Sequence, residues 1–241
     1  MYDDVEERNK FIADFKIPIL YEPIDYSSLP TTVFNRNHDW NLISKIYERD
    51  KIVVVEDFLE PEFTDTLRKY ALITNIREDK YKDYSATNFS RKQGRLWFKL
   101  LSNIVDESKA NIPLLNNFTF ERAWSFIYSN VSGGVGIHSD PANITFNLWV
   151  TPEECIDDIQ GFNGLEIWKV PRPADWTPEL YLGAGVNALA LLEASNIKST
   201  IIPYKNNRLA IFDSTFFHRS QPVRCKPGYQ NKRINYTFLY S

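Results

Sequence analysis

Cysteine is almost missing from this sequence: Cys155 and Cys225 are the only two, too few for a disulfide framework and without the CxxC or zinc-type spacing of a metal cluster. Both read as structural thiols. Missing too is any run of about 18 apolar residues able to span a bilayer. The start, MYDDVEERNK, is acidic and polar where a secretory signal needs a basic end and an apolar stretch. The expectation is a soluble cytoplasmic protein with no membrane partner. Charge of one sign is not in excess either. A formal net charge of -3, spread along the chain, gives no electrostatic reason to expect a nucleic-acid backbone as a general partner. Internal repeats and low-complexity tracts are absent by eye.

What is present is a globular composition: 43% apolar residues with 15% aromatics, enough to bury a core and to confine disorder to the termini. An all-β barrel or sandwich of 241 residues is commonly one domain. The reading is an N-terminal arm, residues 1–50, packing on a single domain, residues 51–241.

Along the chain, Asp39 to Glu48 carries Trp40, Ile43 and Tyr47 at helical spacing. Ile52 to Val55 is a β-branched run fit for a buried strand. Pro61 then stands in a helix-start position, and Phe63, Leu67, Tyr70 and Ala71 form one stripe of a helix to about Ile73. Residues 75–95 are polar, mixed in charge and without a period, which reads as a long loop: a lid or a solvated connector. From Glu121 onward short β-type runs alternate with turn residues: Arg122 to Ser129, Ile144 to Val150, Gly164 to Val170, Ala188 to Leu192, Thr200 to Tyr204, Arg208 to Asp213 and Arg233 to Tyr240. Short strands in series without long amphipathic helices between them predict an antiparallel sandwich or barrel.

Two of the three histidines stand in ligand-like surroundings. His138 and Asp140 follow the Gly-rich turn Ser132-Gly133-Gly134-Val135-Gly136, and in an extended segment residues i and i+2 point to the same side. His218 lies 78 residues beyond Asp140, after the run Arg208 to Asp213 and the turn Ser214 to Phe217. Two imidazoles and one carboxylate on one face of an octahedron leave positions open, the facial triad of non-haem iron(II) sites. A His-x-Asp triplet by itself is common in proteins and carries little. The distal histidine and a downstream arginine give it weight.

From the tyrosine-bearing run ending at Tyr128, through His138-Ser-Asp140, NITFNLWVTPEE, GFNGLEIWKVPRP and NRLAIFDSTFFHRSQPV, to KRINYTFLYS, residues 120–241 resemble the 2-oxoglutarate/iron(II) oxygenases, in particular their prolyl-hydroxylase-like branch. The segment IVVVEDFLEPEFTDTLRKYAL resembles that family's usual N-terminal support. The resemblance implies a mainly β fold with flanking helices around a double-stranded β-helix (jelly-roll, cupin-like) core. It also implies Fe(II) held by His138, Asp140 and His218, with 2-oxoglutarate and dioxygen as co-substrates and ascorbate as an accessory reductant. Arg233 occupies the place of the family's basic residue for the distal carboxylate, which a guanidinium grips bidentately. Strand alternation puts Asn235 and Thr237 on the face of Arg233, with Ile234, Tyr236 and Phe238 opposite. Tyr128, ten residues before His138, and the inward residue Asn147 are further co-substrate candidates, Asn147 standing against a purely structural amide. Trp149 and Trp168 read as core aromatics. The gap of fifteen residues from His218 to Arg233 is longer than in compact members, which keeps Arg224 in competition for the carboxylate.

In such enzymes 2-oxoglutarate leaves as succinate and carbon dioxide and the substrate is hydroxylated. Related halogenases have a small residue where Asp140 stands, so hydroxylation is favoured, with demethylation, desaturation and ring chemistry still open. The branch suggests a peptide or a small amino-acid-like substrate. Two other readings stay open. One is a cupin-like or degenerate metal-binding module without turnover, against which the buried arginine speaks. The other is a nucleic-acid demethylase, supported only by the basic run Ser90 to Arg95.

Overall fold

Asp39 caps the first described helix, its carboxylate accepting from Leu42 N at 3.0 Å, and α1 (Trp40–Asp50) ends where Lys51 turns left-handed at φ 60°. The computed structural model describes residues 30–73, 79–80, 83–90, 98–157, 160–183 and 185–241. Next come β1 (Ile52–Val55) and α2 (Pro61–Ile73), both where the sequence places them. Phe63, Leu67 and Ala71 of the α2 stripe are buried in the main core, and Val33, Phe34 and Tyr47 reach the same core from the N-terminal side.

Residues 75–95 are not one long loop. They contain β2 (Asp79–Lys80) and β3 (Tyr84–Ser90), while 75–78, 81–82 and 91–95 lie outside the described residues. Tyr84, Thr87 and Phe89 suit a pleated strand, and β4 offers β3 seven partners in unbroken register, a tertiary contact that local polarity conceals. After α3 (Phe98–Asn111) follow β4 (Phe120–Tyr128), β5 (Val131–Ser132), β6 (Ile144–Trp149) and β7 (Leu165–Pro171). Then come two helices, α4 (Pro178–Leu182) and α5 (Gly185–Ser195), and the strand β8 (Thr200–Ile202). The β-type reading of Ala188 to Leu192 is therefore corrected to helix. That run is alanine and leucine, strong helix formers, and a short apolar run has no period to decide between the two states. Ala188 and Leu192, four apart, are buried together. The chain closes with β9 (Leu209–Asp213), β10 (Phe216–Ser220), β11 (Val223–Arg224) and β12 (Ile234–Tyr240). The expected turn at Ser214 to Phe217 is shorter than read, and His218 sits inside β10.

The main sheet has the order β1-β9-β6-β12-β4-β3-β2 and is antiparallel throughout; the smaller one is β10-β7-β8, and β11 pairs with β5. From β4 to β12 the chain passes back and forth between the two main layers. The His138 segment bridges to β10, β6 returns to the main sheet, β7 and β8 lie in the smaller one, and β9, β10 and β12 repeat the exchange. This is a jelly roll, the double-stranded β-helix.

Alternation decides what each face holds. On β12, Ile234, Tyr236, Phe238 and Tyr240 face the helix-covered core, and the Tyr236 hydroxyl donates to Leu67 O of α2 at 3.1 Å. Asn235 and Thr237 face the space between the sheets. Both cysteines are free and buried, and burial pushes the Cys225 thiol up to about 11. Among the described residues no helix is long and apolar enough to cross a membrane.

Candidate metal centre

His138 and His218 face each other across an antiparallel bridge and exchange both backbone hydrogen bonds, His138 N to His218 O at 3.0 Å and His218 N to His138 O at 2.8 Å. Directly opposed residues of such a pair present their side chains on one face. The two imidazole rings accordingly lie 4.2 Å apart, centre to centre. Asp140, two residues on, keeps to the same face while its N–H donates to Ser214 O at 2.9 Å. Its carboxylate reaches both rings: Oδ1 is 3.6 Å from His138 Nε2 and Oδ2 is 3.5 Å from His218 Nε2. The three ligand atoms lie within 4.8 Å of one another.

Neighbouring groups orient this triad. Each histidine holds a backbone carbonyl two residues upstream through Nδ1, His138 to Gly136 O at 2.8 Å and His218 to Phe216 O at 3.0 Å, which leaves both Nε2 atoms free as ligands. Thr145 Oγ1 donates to Asp140 Oδ2 at 2.7 Å and meets Ser214 Oγ at 2.8 Å. Arg172 donates to Asp140 O at 2.6 Å and lies over the Tyr181 ring. Burial, helped by the neighbouring His138 ring and opposed by Asp140, pushes the His218 imidazole down to about 4. A neutral imidazole is the form that binds a metal. The Gly-rich turn has a steric reason: Gly134 has φ +77°, and a Cβ there would lie 2.9 Å from Gln221 O.

The triad opens into a cavity of about 260 Å³ between the sheets, which Tyr128, Asn147 and Asn235 also line. The Tyr128 hydroxyl meets Ser220 Oγ at 3.2 Å. Asn235 donates to Asn147 Oδ1 at 3.0 Å and accepts from Arg233 Nη1 at 3.2 Å. Arg233 is 1% exposed and sits just behind the lining, its guanidinium over Tyr128 at 4.7 Å, Trp149 at 5.8 Å and Tyr204 at 6.0 Å. Its Nε has no partner, and among the described residues no carboxylate pairs with it. Arg224 is elsewhere: exposed on β11, with its guanidinium 4.0 Å from the centre of the Phe162 ring. Sequence reasoning passed over Ser214, Arg172 and Tyr204, and placed Thr145 on the inward face with Asn147 without giving it a role. Only Thr145 carried a signal, as the same-face neighbour of Asn147 at the start of β6.

No protein-family model matches this chain, and no curated protein is similar to it in sequence. Solved structures share its shape. An oxidoreductase of the 2OG-Fe(II) oxygenase family from Burkholderia pseudomallei is 10% identical, with a TM-score of 0.56 over 88% of this chain and 95% of that one. The non-heme alpha-ketoglutarate-dependent carbocyclase SnoK from nogalamycin biosynthesis is 13% identical, with a TM-score of 0.57 over 88% and 86%. HygX from Streptomyces hygroscopicus, solved with nickel and 2-oxoglutarate bound, is 6% identical, with a TM-score of 0.55 over 83% and 86%. At these identities the likeness is one of fold, a jelly roll that this chain shares with those proteins.

Proposed function

We propose that the chain is an Fe(II)- and 2-oxoglutarate-dependent dioxygenase that hydroxylates an organic substrate. The observation that carries this reading is the pairing of two features at one cavity. Three candidate ligand atoms converge within 4.8 Å, and just behind the lining lies a buried guanidinium with an unpartnered Nε and, among the described residues, no carboxylate of its own. A buried cation without a counter-ion is costly, so an anionic ligand is the missing half. Two imidazoles and one carboxylate suit Fe(II), and a dicarboxylate suits Arg233. Iron(II) with 2-oxoglutarate supplies the oxidising chemistry: dioxygen is consumed, succinate and carbon dioxide leave, and a substrate C–H becomes C–OH.

The chain's own residues divide the remaining work. His138, Asp140 and His218 hold the metal, and Thr145 fixes the carboxylate so that both of its oxygens stay near the imidazoles. Arg233, with Asn235 and Tyr128, receives the distal carboxylate of the co-substrate. Asn147 orients Asn235 through the 3.0 Å amide contact. Phe212 packs edge-on against the His218 ring at 4.8 Å, and Leu165 adds an apolar side chain to the lining beside the triad. The expectation of a peptide or small amino-acid-like substrate concerns the outer part of the cavity.

Anaerobic titration of Fe(II) and 2-oxoglutarate, followed by the metal-to-ligand charge-transfer band, and succinate release in air test the proposal. The wild-type chain should show both, and His218→Ala neither. Metal binding and succinate release undiminished in His218→Ala would overturn the assignment; metal binding without any succinate would favour a non-catalytic cupin-like module.

A further inference from the structure

The cavity lining is chemically divided. Its polar side chains gather around the triad and β12, whereas its outer part is made of Ala86, Trp124, Phe126, Val135 and Leu182. Every carboxylate and every imidazole lining the cavity belongs to the triad, and among the described residues no lysine or arginine lines it. With the triad given to the metal, the ammonium of a free amino acid would have no counter-ion among the described lining residues.

The outer wall is also aromatic, because alternation along β4 puts Trp124, Phe126 and Tyr128 on one face. Phe126 lies 6.5 Å from Trp124, tilted by 53°, and 6.3 Å from Tyr128, nearly parallel at 28°, and Tyr84 of β3 adds a ring 6.0 Å from Phe126, also tilted by 53°. Trp124 and Phe126 remain partly exposed. The Arg122 guanidinium lies over Trp124 at 5.7 Å at the outer end of the row. From the smaller-sheet side come Val135, before His138, and Leu182, at the end of α4 and 47% exposed. Among these five outer side chains the only hydrogen-bonding atom is the indole N–H of Trp124. The amides of a peptide, or the polar edge of a nucleobase, would lose their water there without finding replacement partners.

We infer that the outer cavity receives a flat, uncharged ring system with a largely apolar rim, stacked on Trp124 and flanked by the tilted Phe126 ring, so that a carbon of its edge faces the triad. The inference rests on the oxygenase reading for the place of the reacting centre. The wall itself selects rings: aromatic faces attract other rings beyond the area they bury, and a row of successive rings is longer than one prolyl ring needs.

Calorimetric titration of the full, metal-free chain with 2-naphthol is the test, run beside L-proline, an uncharged Pro-Gly dipeptide amide and a short RNA oligonucleotide. Expected are saturable binding of 2-naphthol, about tenfold weaker in Trp124→Ala and restored to within about threefold by Trp124→Phe, and weaker binding of the other three. The ring-preserving variant and circular dichroism separate a lost stacking contact from a lost fold. Tighter binding of the proline compounds or of RNA would overturn the inference, as would 2-naphthol binding unchanged in both Trp124→Ala and Phe126→Ala. A parallel titration with Mn(II) and 2-oxoglutarate fails only if the oxygenase reading fails, so the two ideas are read separately.

Discussion

Thr145 shows how much of the candidate metal site lies outside the three residues proposed as ligands. Its hydroxyl donates to Asp140 Oδ2, and its removal would leave the carboxylate free to rotate away from the imidazoles. Thr145→Val keeps the β-branched shape that β6 accommodates and deletes only the hydroxyl. Metal affinity, measured by chelator competition, should fall by about tenfold or more, with little change in the circular dichroism spectrum. Undiminished affinity would show that the hydrogen bond does not position the ligand. Arg233 and Arg224 offer a sharper contrast, since one is buried behind the cavity and the other stacks in the open on Phe162. Loss of a secluded charge-assisted pair costs on the order of 2–5 kcal/mol, or about 30-fold or more in affinity. Arg233→Ala should raise the apparent constant for 2-oxoglutarate by that factor while retaining the metal, and Arg224→Ala should change it by only a few-fold. The reverse ranking in an anaerobic titration would move the anchor to Arg224.

At the level of elements, α1 depends on its cap. The Asp39 carboxylate satisfies one of the open N–H groups of the first turn, and Asp39→Ala should cost about 1 kcal/mol, a fall of a few degrees in Tm. A Tm identical to wild type would mean that packing of Trp40 and Tyr47 alone holds the helix. Strand β3 decides between a lid and a wall for the middle of residues 75–95. Seven register partners on β4 should protect alternate amides of Tyr84–Ser90 from hydrogen exchange even in the metal-free protein. Exchange as fast as in an unstructured peptide would restore the lid over this stretch.

The whole molecule assembles the candidate metal site, because His138 and Asp140 meet His218 only when the His138 segment pairs with β10. The unfolded chain therefore has no equivalent site, and a metal that binds only the folded state stabilises it by mass action. At free Mn(II) about 100 times the dissociation constant the gain is about 2.7 kcal/mol, a rise in Tm of roughly 5–10 °C for a chain of this size. A chelator should reverse the rise, and His218→Ala should not show it. An equal rise in the variant would place the stabilising ion elsewhere.

The amino-acid sequence alone determined whatever rests on short-range pattern. The α2 stripe, the β-branched run Ile52–Val55 and the alternation of Asn235 and Thr237 against Ile234 and Tyr236 were legible because side-chain direction follows from the backbone period. His138, Asp140 and His218 were legible as a set by type and order, though only through resemblance to a family, since spacing over 78 residues has no local geometry. Tertiary structure decided the rest. It made β3 from a polar stretch by giving it β4 as a neighbour, and it made a helix of Ala188 to Leu192, where a short apolar run has no period of its own. It also brought Thr145, Ser214 and Arg172 to Asp140. Thr145 is only five residues from Asp140, but the Ser214 and Arg172 contacts join residues far apart in the chain, and no pattern along a single strand can encode the partner that another strand supplies.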